Sequence, residues 1–134
     1  MKKKSVKIAI ILAVIVICVA FFVKGKREIA TVYYPSDNDY YIKAYQIGYM
    51  YTTHYHCVCI LYGPDGEISR AYFEAFSTDR HKPRYMREDQ NLYIEWHDDY
   101  VSVRYADHET KGTIRDFYLD GRITSTPCLW DVDW

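Results

Sequence analysis

Two histidines and two cysteines within one short segment are the side chains best suited to metal chemistry. They are His54, His56, Cys57 and Cys59. All four are good ligands for a transition metal, but successive side chains of an extended strand point to opposite faces. The two histidines then face one way and the two cysteines the other. Each pair would need distant partners, and the available ones are Cys128, His81 and His97. We predict packed cysteines and exposed imidazoles here, and no metal site.

The four cysteines of the chain do not form the pattern of a disulfide framework. Cys57 and Cys59 are separated by one residue on a strand and cannot easily bond to each other. Either of them could pair with Cys128, which would leave the other free. The alternative is that all three are small buried hydrophobic residues. Cys18 belongs to the apolar N-terminal segment.

Five pairs of acidic residues could supply oxygen ligands. They are Asp37/Asp39, Glu88/Asp89, Asp98/Asp99, Asp107/Glu109 and Asp131/Asp133. A calcium loop needs alternating oxygen ligands, a sharp glycine turn and a closing glutamate. The first pair is followed by neither the glycine nor the glutamate at the required spacing. The other pairs fall in turns, where aspartate bonds to the backbone. We predict no calcium site.

Nucleophilic catalysis would require a cysteine beside a histidine and an aspartate. The chain has no G-x-S-x-G segment, and the surroundings of Cys57 and Cys59 do not resemble those of a cysteine protease. A glycosidase carboxylate pair could be drawn from any two acids, so none can be singled out. We therefore assign no catalytic, cofactor-binding or metal-binding residue, and enzymatic activity remains an alternative only.

The elements that would position these side chains are short strands. Turn signals such as Gly63-Pro64-Asp65-Gly66 and Asp120-Gly121 separate segments rich in strand-forming residues. The predicted strands lie within residues 40–51, 55–62, 67–76, 92–96, 101–105, 113–119 and 122–125, after an extended entry at 31–39. Apolar residues on both faces of 55–62 predict a central strand. This spacing predicts an all-β antiparallel domain, and a sandwich, a partly open barrel and a single curved sheet all remain open.

The N-terminal segment is a run of sixteen apolar residues, Ile8 to Val23, with lysines on both sides. A buried core helix would keep a polar face, and this segment has none. A cleaved secretory signal needs small residues before the cut, and Cys18-Val19-Ala20 is followed by further apolar residues. We expect an uncleaved transmembrane helix, with a cleaved signal as the alternative.

Charge divides the chain into two parts, which we take as residues 1–27, the basic anchor region, and 28–134, the β domain. All eighteen acidic residues lie in the second part against ten Lys and Arg, so the parts carry +7 and −8 and together give the net charge of −1. The basic start predicts a cytoplasmic N-terminus and an extracytoplasmic domain in the cell membrane. An acidic domain without a basic stripe excludes nucleic acid as a partner.

Tyrosine is the compositional outlier, with 15 residues. It fits a pleated surface with one face in water. An exposed tyrosine patch could instead bind a peptide or a glycan.

The pattern resembles a family of small bacterial membrane-anchored proteins of unknown function. The matching elements are the anchor at 6–23, the hairpin at Pro64-Asp65-Gly66, the run from Leu92 to Tyr105, and the closing hairpin at 113–123. Within that run, Trp96 precedes an aspartate-containing turn and an alternating strand. The resemblance implies an envelope protein and supplies no catalytic residues.

We therefore expect a single-pass membrane-anchored envelope protein that binds or assembles with an envelope partner. An anchored or secreted hydrolase and a toxin-neutralising membrane protein are the alternatives.

Overall fold

Two four-stranded antiparallel sheets follow an N-terminal helix. The computed structural model describes residues 2–22, 25–48, 54–76, 91–108 and 110–129. Helix α1 spans Lys2–Phe22. The strands are β1 Gly25–Tyr33, β2 Tyr41–Gly48, β3 His54–Gly63, β4 Gly66–Phe76, β5 Leu92–Trp96, β6 Tyr100–Ala106, β7 Lys111–Tyr118 and β8 Ile123–Leu129. The expectation of an antiparallel, mainly β protein is confirmed.

Each sheet is a simple meander, because every strand pairs with the next one along the chain. The strand orders are β1-β2-β3-β4 and β5-β6-β7-β8. Turn chemistry explains the short connections: Gly66 and Gly121 adopt φ angles of 110° and 93°, which glycine reaches without steric cost. The 97–99 connection is closed by the amide of His97, which donates to the carbonyl of Tyr100 at 2.8 Å.

The two sheets share one hydrophobic core. Phe73 of the first sheet stacks on Tyr105 of the second, with ring centroids 4.1 Å apart. At another point the indole Nε1 of Trp96 donates to the carbonyl oxygen of Val32 at 3.2 Å. Within the described residues the strands thus form two separate antiparallel sheets and not the single curved sheet that the sequence left open.

Strand β3 is covered on both faces, as its two-sided apolar pattern predicts. Cys57, Cys59 and Leu61 point into the common core. Val58 and Ile60 point to the other side of the sheet, and each is only 2% exposed. A central strand with neighbours on both edges explains this burial. The outer face of the first sheet therefore has a small apolar layer of its own.

Four of the connections between strands lie at one end of the domain. We call this the turn end, made by residues 34–40, 64–65, 97–99 and 119–122. The hydroxyl of Tyr34 donates to the carbonyl of Asp98 at 2.7 Å, which joins two of these turns across the sheets. The opposite end, where β1 begins at Gly25, we call the helix end. Phe76 and His108 meet there, with ring centroids 6.4 Å apart.

Strand β8 is an edge strand that is largely exposed on both faces. The amide of Tyr118 donates to the carbonyl of Arg122 at 2.9 Å, so these two residues form a hydrogen-bonded pair. Pairs alternate along an antiparallel ladder, and Thr113 opposite Pro127 is therefore a non-hydrogen-bonded pair. The backbone nitrogen of Pro127 faces away from β7. Proline at such a position removes a donor from the open edge.

Two strands extend beyond their predicted bounds. Strand β1 starts at Gly25, whereas the sequence predicts an extended segment only from residue 31. The difference arises because the charged residues Lys26, Arg27 and Glu28 obscure the alternation of polar and apolar residues. Strand β8 continues through Pro127 to Leu129, which an edge position permits. A loop is also predicted at 77–91 from its polar residues and Pro83; of it, residues 77–90 lie outside the described part of the chain, as do the residues after 129.

From Ile8 to Ala20 helix α1 has no polar face, and the described residues of the domain do not cover it. Each large apolar side chain from Val6 to Val19 is more than half exposed. Within the residues described, none of the helices has the length and apolar character required to cross a membrane.

Candidate functional site

The histidines and cysteines of β3 do not converge. His56 is on the outer face of the first sheet, where its Nδ1 lies 3.6 Å from Glu74 Oε1, while Cys57 and Cys59 are in the core. The side chain of His54, and His81 as a whole, lie outside the described residues. Over the described ranges, no group of three or more His, Cys, Asp or Glu side chains could hold a metal ion.

All four cysteines carry free thiols, so the considered pairing of Cys57 or Cys59 with Cys128 is not formed. Burial raises the pKa of the Cys57 and Cys59 thiols well above the ordinary value. Since the thiolate is the reactive form, these two cysteines are poor nucleophiles in the folded protein. They act as small apolar residues of the core.

In two of the described turns an aspartate side chain accepts a hydrogen bond from the backbone. Asp37 Oδ1 accepts a hydrogen bond from the amide of Asp39 at 3.0 Å. Asp120 Oδ1 accepts one from the amide of Arg122 at the same distance. These are the local side-chain bonds to backbone that aspartate makes in turns. Glu88, Asp89, Glu109, Asp131 and Asp133 lie outside the described residues.

The most distinctive surface is the outer face of the first sheet, which we call the tyrosine face. Strand pairing places side chains from four strands on it in cross-strand rows. Its tyrosines are Tyr33, Tyr41, Tyr45, Tyr62 and Tyr72. Tyr33 is 54% exposed and Tyr72 is 60% exposed. These two rings lie on the opposite edge strands β1 and β4, and exposed tyrosines are enriched at binding surfaces.

One row of this face is a ladder of three tyrosine rings. The centroids of Tyr33 and Tyr41 are 5.4 Å apart, and those of Tyr41 and Tyr62 are 5.0 Å apart with an angle of 18° between the rings. Rings stacked across neighbouring strands stand upright on the sheet. Their edges thus face solvent, and the outermost ring, Tyr33, ends the ladder on the edge strand β1.

The buried layer beneath the face holds these rings in place. Val58 pairs with Tyr45 on one side and Tyr72 on the other. Ile60 pairs with Lys43 and Arg70, whose aliphatic stems can cover it. Burial also raises the pKa of Tyr62, and its hydrogen bond with Tyr45 adds to the shift. Two buried aliphatic side chains therefore form the base on which the tyrosines pack.

Charged side chains on the tyrosine face are paired within it. Lys43 Nζ lies 3.6 Å from Glu28 Oε2, and Arg70 forms a two-bond ion pair with Glu67. The hydrogen bonds from Arg70 lower the pKa of Glu67. Lys26 Nζ lies 4.1 Å from the centroid of the Tyr45 ring. Together with His56 and Glu74, these contacts leave the face close to electroneutral.

The outer face of the second sheet carries a smaller aromatic row. His97 stacks on Tyr100 at 4.5 Å, Tyr100 on Tyr118 at 5.1 Å, and the guanidinium of Arg122 lies 4.1 Å from the Tyr118 centroid. Arginine covers the end of this row, whereas Tyr33 leaves the end of the first ladder exposed. Tyr93, on the same outer face, is 37% exposed.

Sequence reasoning identified the tyrosine excess but did not locate the tyrosine face. The tyrosines come from four strands, and only the strand register brings them to one side. The alternation of Tyr41, Lys43 and Tyr45 is the one local signal.

Searches against protein-family models, curated proteins and solved structures found no match to this chain. The resemblance to a family of membrane-anchored proteins stays a prediction.

Proposed function

We propose that the protein is a single-pass envelope protein, held in the cell membrane by its N-terminal helix, whose extracytoplasmic β domain is a binding module that uses the tyrosine face. The observation that carries the anchor is the uncovered apolar surface of α1. A helix that is apolar all round is stable only when something apolar surrounds it. Lipid supplies that environment, and the domain does not.

The apolar run is short for a membrane span. Sixteen residues rise about 24 Å, against a hydrocarbon core of about 30 Å. Long lysine side chains such as that of Lys7 can reach the headgroups and make up part of the difference. A modest local thinning of the bilayer accommodates the remainder.

The distribution of charge between the two ends of the domain supports its orientation. Among the described residues, Lys26, Arg27 and Lys111 lie at the helix end together with Asp107, and Arg122 lies at the turn end. The turn end carries six aspartates, namely Asp37, Asp39, Asp65, Asp98, Asp99 and Asp120. Anionic headgroups attract the first end and repel the second. The tyrosine face then stands to the side, accessible to a partner in the envelope.

Membrane fractionation tests the anchor. The full chain should stay with membranes in alkaline carbonate and leave them in detergent. Replacing Val14 by lysine places a charge at the centre of the run, at a cost of about 2.5–3.5 kcal/mol, and should release part of the protein. Replacing exposed Ser125 on β8 by lysine adds the same single charge to the domain and should release none. Wild-type protein found in the soluble fraction would overturn the anchor.

External protease tests the orientation. Added outside cells with a permeable wall, it should trim residues 28–134 and leave an N-terminal fragment. Complete protection of the domain would reverse the topology. The mass of the mature protein separates the uncleaved anchor from the cleaved signal, because cleavage removes the apolar run.

A further inference from the structure

We propose that the tyrosine face binds an uncharged oligosaccharide segment of a longer glycan chain. This inference rests on the proposed function, since it names the ligand class of the same face. Three properties of the face support it: its electroneutrality, its size and its rigidity.

Electroneutrality indicates an uncharged ligand. The basic groups of the face are already engaged by partners on it: Lys43 by Glu28, Arg70 by Glu67, and Lys26 by the ring of Tyr45. A charged ligand would have to displace one of these partners, and the charge left behind would lose its compensation. A neutral ligand leaves the pairs intact. Its hydroxyls can bond to the phenol groups, which donate and accept.

The dimensions of the face accommodate an extended chain. Four strands about 4.8 Å apart and eight residues of about 3.3 Å each cover a planar area of roughly 500 Å². An oligosaccharide of a few units fits within this area. Tyr33 and Tyr72 lie on the two opposite edge strands of the sheet, so a chain that crosses the face can contact both exposed rings with its apolar C–H groups.

Rigidity makes a small interface effective. The ladder of Tyr33, Tyr41 and Tyr62 is stacked before any ligand arrives, and Arg70 Nη1 donates to the hydroxyl of Tyr72 at 3.0 Å. Side chains that are already ordered lose little conformational entropy on binding. Tyrosine also supplies contact area with few rotatable bonds. A flat, ordered, amphipathic surface of this kind fits a chain that has both C–H and O–H groups.

Titration calorimetry on the full chain in detergent tests the proposal. The probes are N-acetylglucosamine oligomers and glucose oligomers of two to six units, with uronic-acid oligomers of the same lengths as charged counterparts. We expect a neutral series to bind with an affinity that rises with length. The double substitution Tyr33→Ala/Tyr72→Ala should weaken binding about tenfold or more, the loss of two aromatic contacts.

The control variant is Tyr93→Ala, which removes an exposed tyrosine from the other sheet and should leave binding unchanged. Thermal unfolding of each variant establishes that the domain is folded. Neutral oligomers that do not bind at millimolar concentration would overturn the proposal, as would tighter binding of the uronic-acid series or an equal loss in Tyr93→Ala. If a protein is captured through Tyr33 and Tyr72 and no glycan binds, the glycan proposal is overturned, while the proposal that the domain is a binding module stands.

Discussion

The buried thiols of Cys57 and Cys59 should make the domain lose stability in mild alkali. Both side chains are almost completely buried, and burial raises their pKa above the ordinary value of 9.0. The folded state therefore keeps these protons while the unfolded chain releases them. A pKa raised by folding gives stability that is complete below pH 9 and is lost as the pH rises beyond it.

The size of the effect follows from the unfolded chain. At pH 10, ionisation of one thiol with a pKa of 9.0 lowers the free energy of the unfolded state by RT ln 11, or about 1.4 kcal/mol. Two thiols give about 3 kcal/mol, and at pH 8 the same contribution is close to zero. The pKa of buried Tyr105 is also raised by burial, which adds a smaller loss of the same sign.

Urea unfolding of the full chain in detergent, at pH 8 and pH 10 with a reductant present, measures this loss. The matched variant Cys57→Ala/Cys59→Ala should be less stable than the wild type at pH 8, because it leaves small cavities. Its difference between the two pH values should nevertheless be smaller by about 3 kcal/mol. A variant that loses as much stability as the wild type would refute the argument.

Three further substitutions test other contacts. Arg115→Met removes the hydrogen bond from Arg115 Nη1 to the Tyr72 carbonyl at 2.8 Å. It should lower the free energy of unfolding by about 2 kcal/mol and speed amide hydrogen exchange in β4. Unchanged exchange in β4 would contradict this link between the sheets. Phe117→Ala empties a fully buried site and should cost about 3–5 kcal/mol in urea unfolding, and a loss below 1 kcal/mol would mean that the core is not continuous there. Pro127→Val restores an outward backbone N–H donor on the β8 edge and should increase self-association, measured by light scattering. The control, Thr124→Val, changes no backbone donor and should leave self-association unchanged.

Local chemistry made most strands predictable from the sequence. Pro64-Asp65-Gly66 and Asp120-Gly121 define hairpins by themselves, because few other sequences favour those backbone angles. The two-sided apolar pattern of 55–62 likewise identified a central strand. These predictions depend only on residues near one another in the chain.

The tyrosine face could not be predicted in this way. Its rows depend on which residue of one strand lies opposite which residue of the next, and a register shift of one residue moves every side chain to the other face. An extra residue in β4 near Leu61 and Tyr62, and an irregularity in β1 between Glu28 and Ala30, shift the rows further. Bulges of this kind have no reliable signature in a single sequence.

The junction between α1 and the first sheet determines how the domain would carry a mechanical load. Only two residues separate Phe22 from Gly25, and β1 then pairs with β2 from Gly25 to Tyr33. A pull on a bound ligand, resisted by the helix, would draw β1 lengthwise past β2. In this shear geometry all the bonds between the two strands bear force together, whereas a pull across the strands would open them one at a time. The direct connection of α1 to β1 therefore favours resistance to a force applied along the axis of β1.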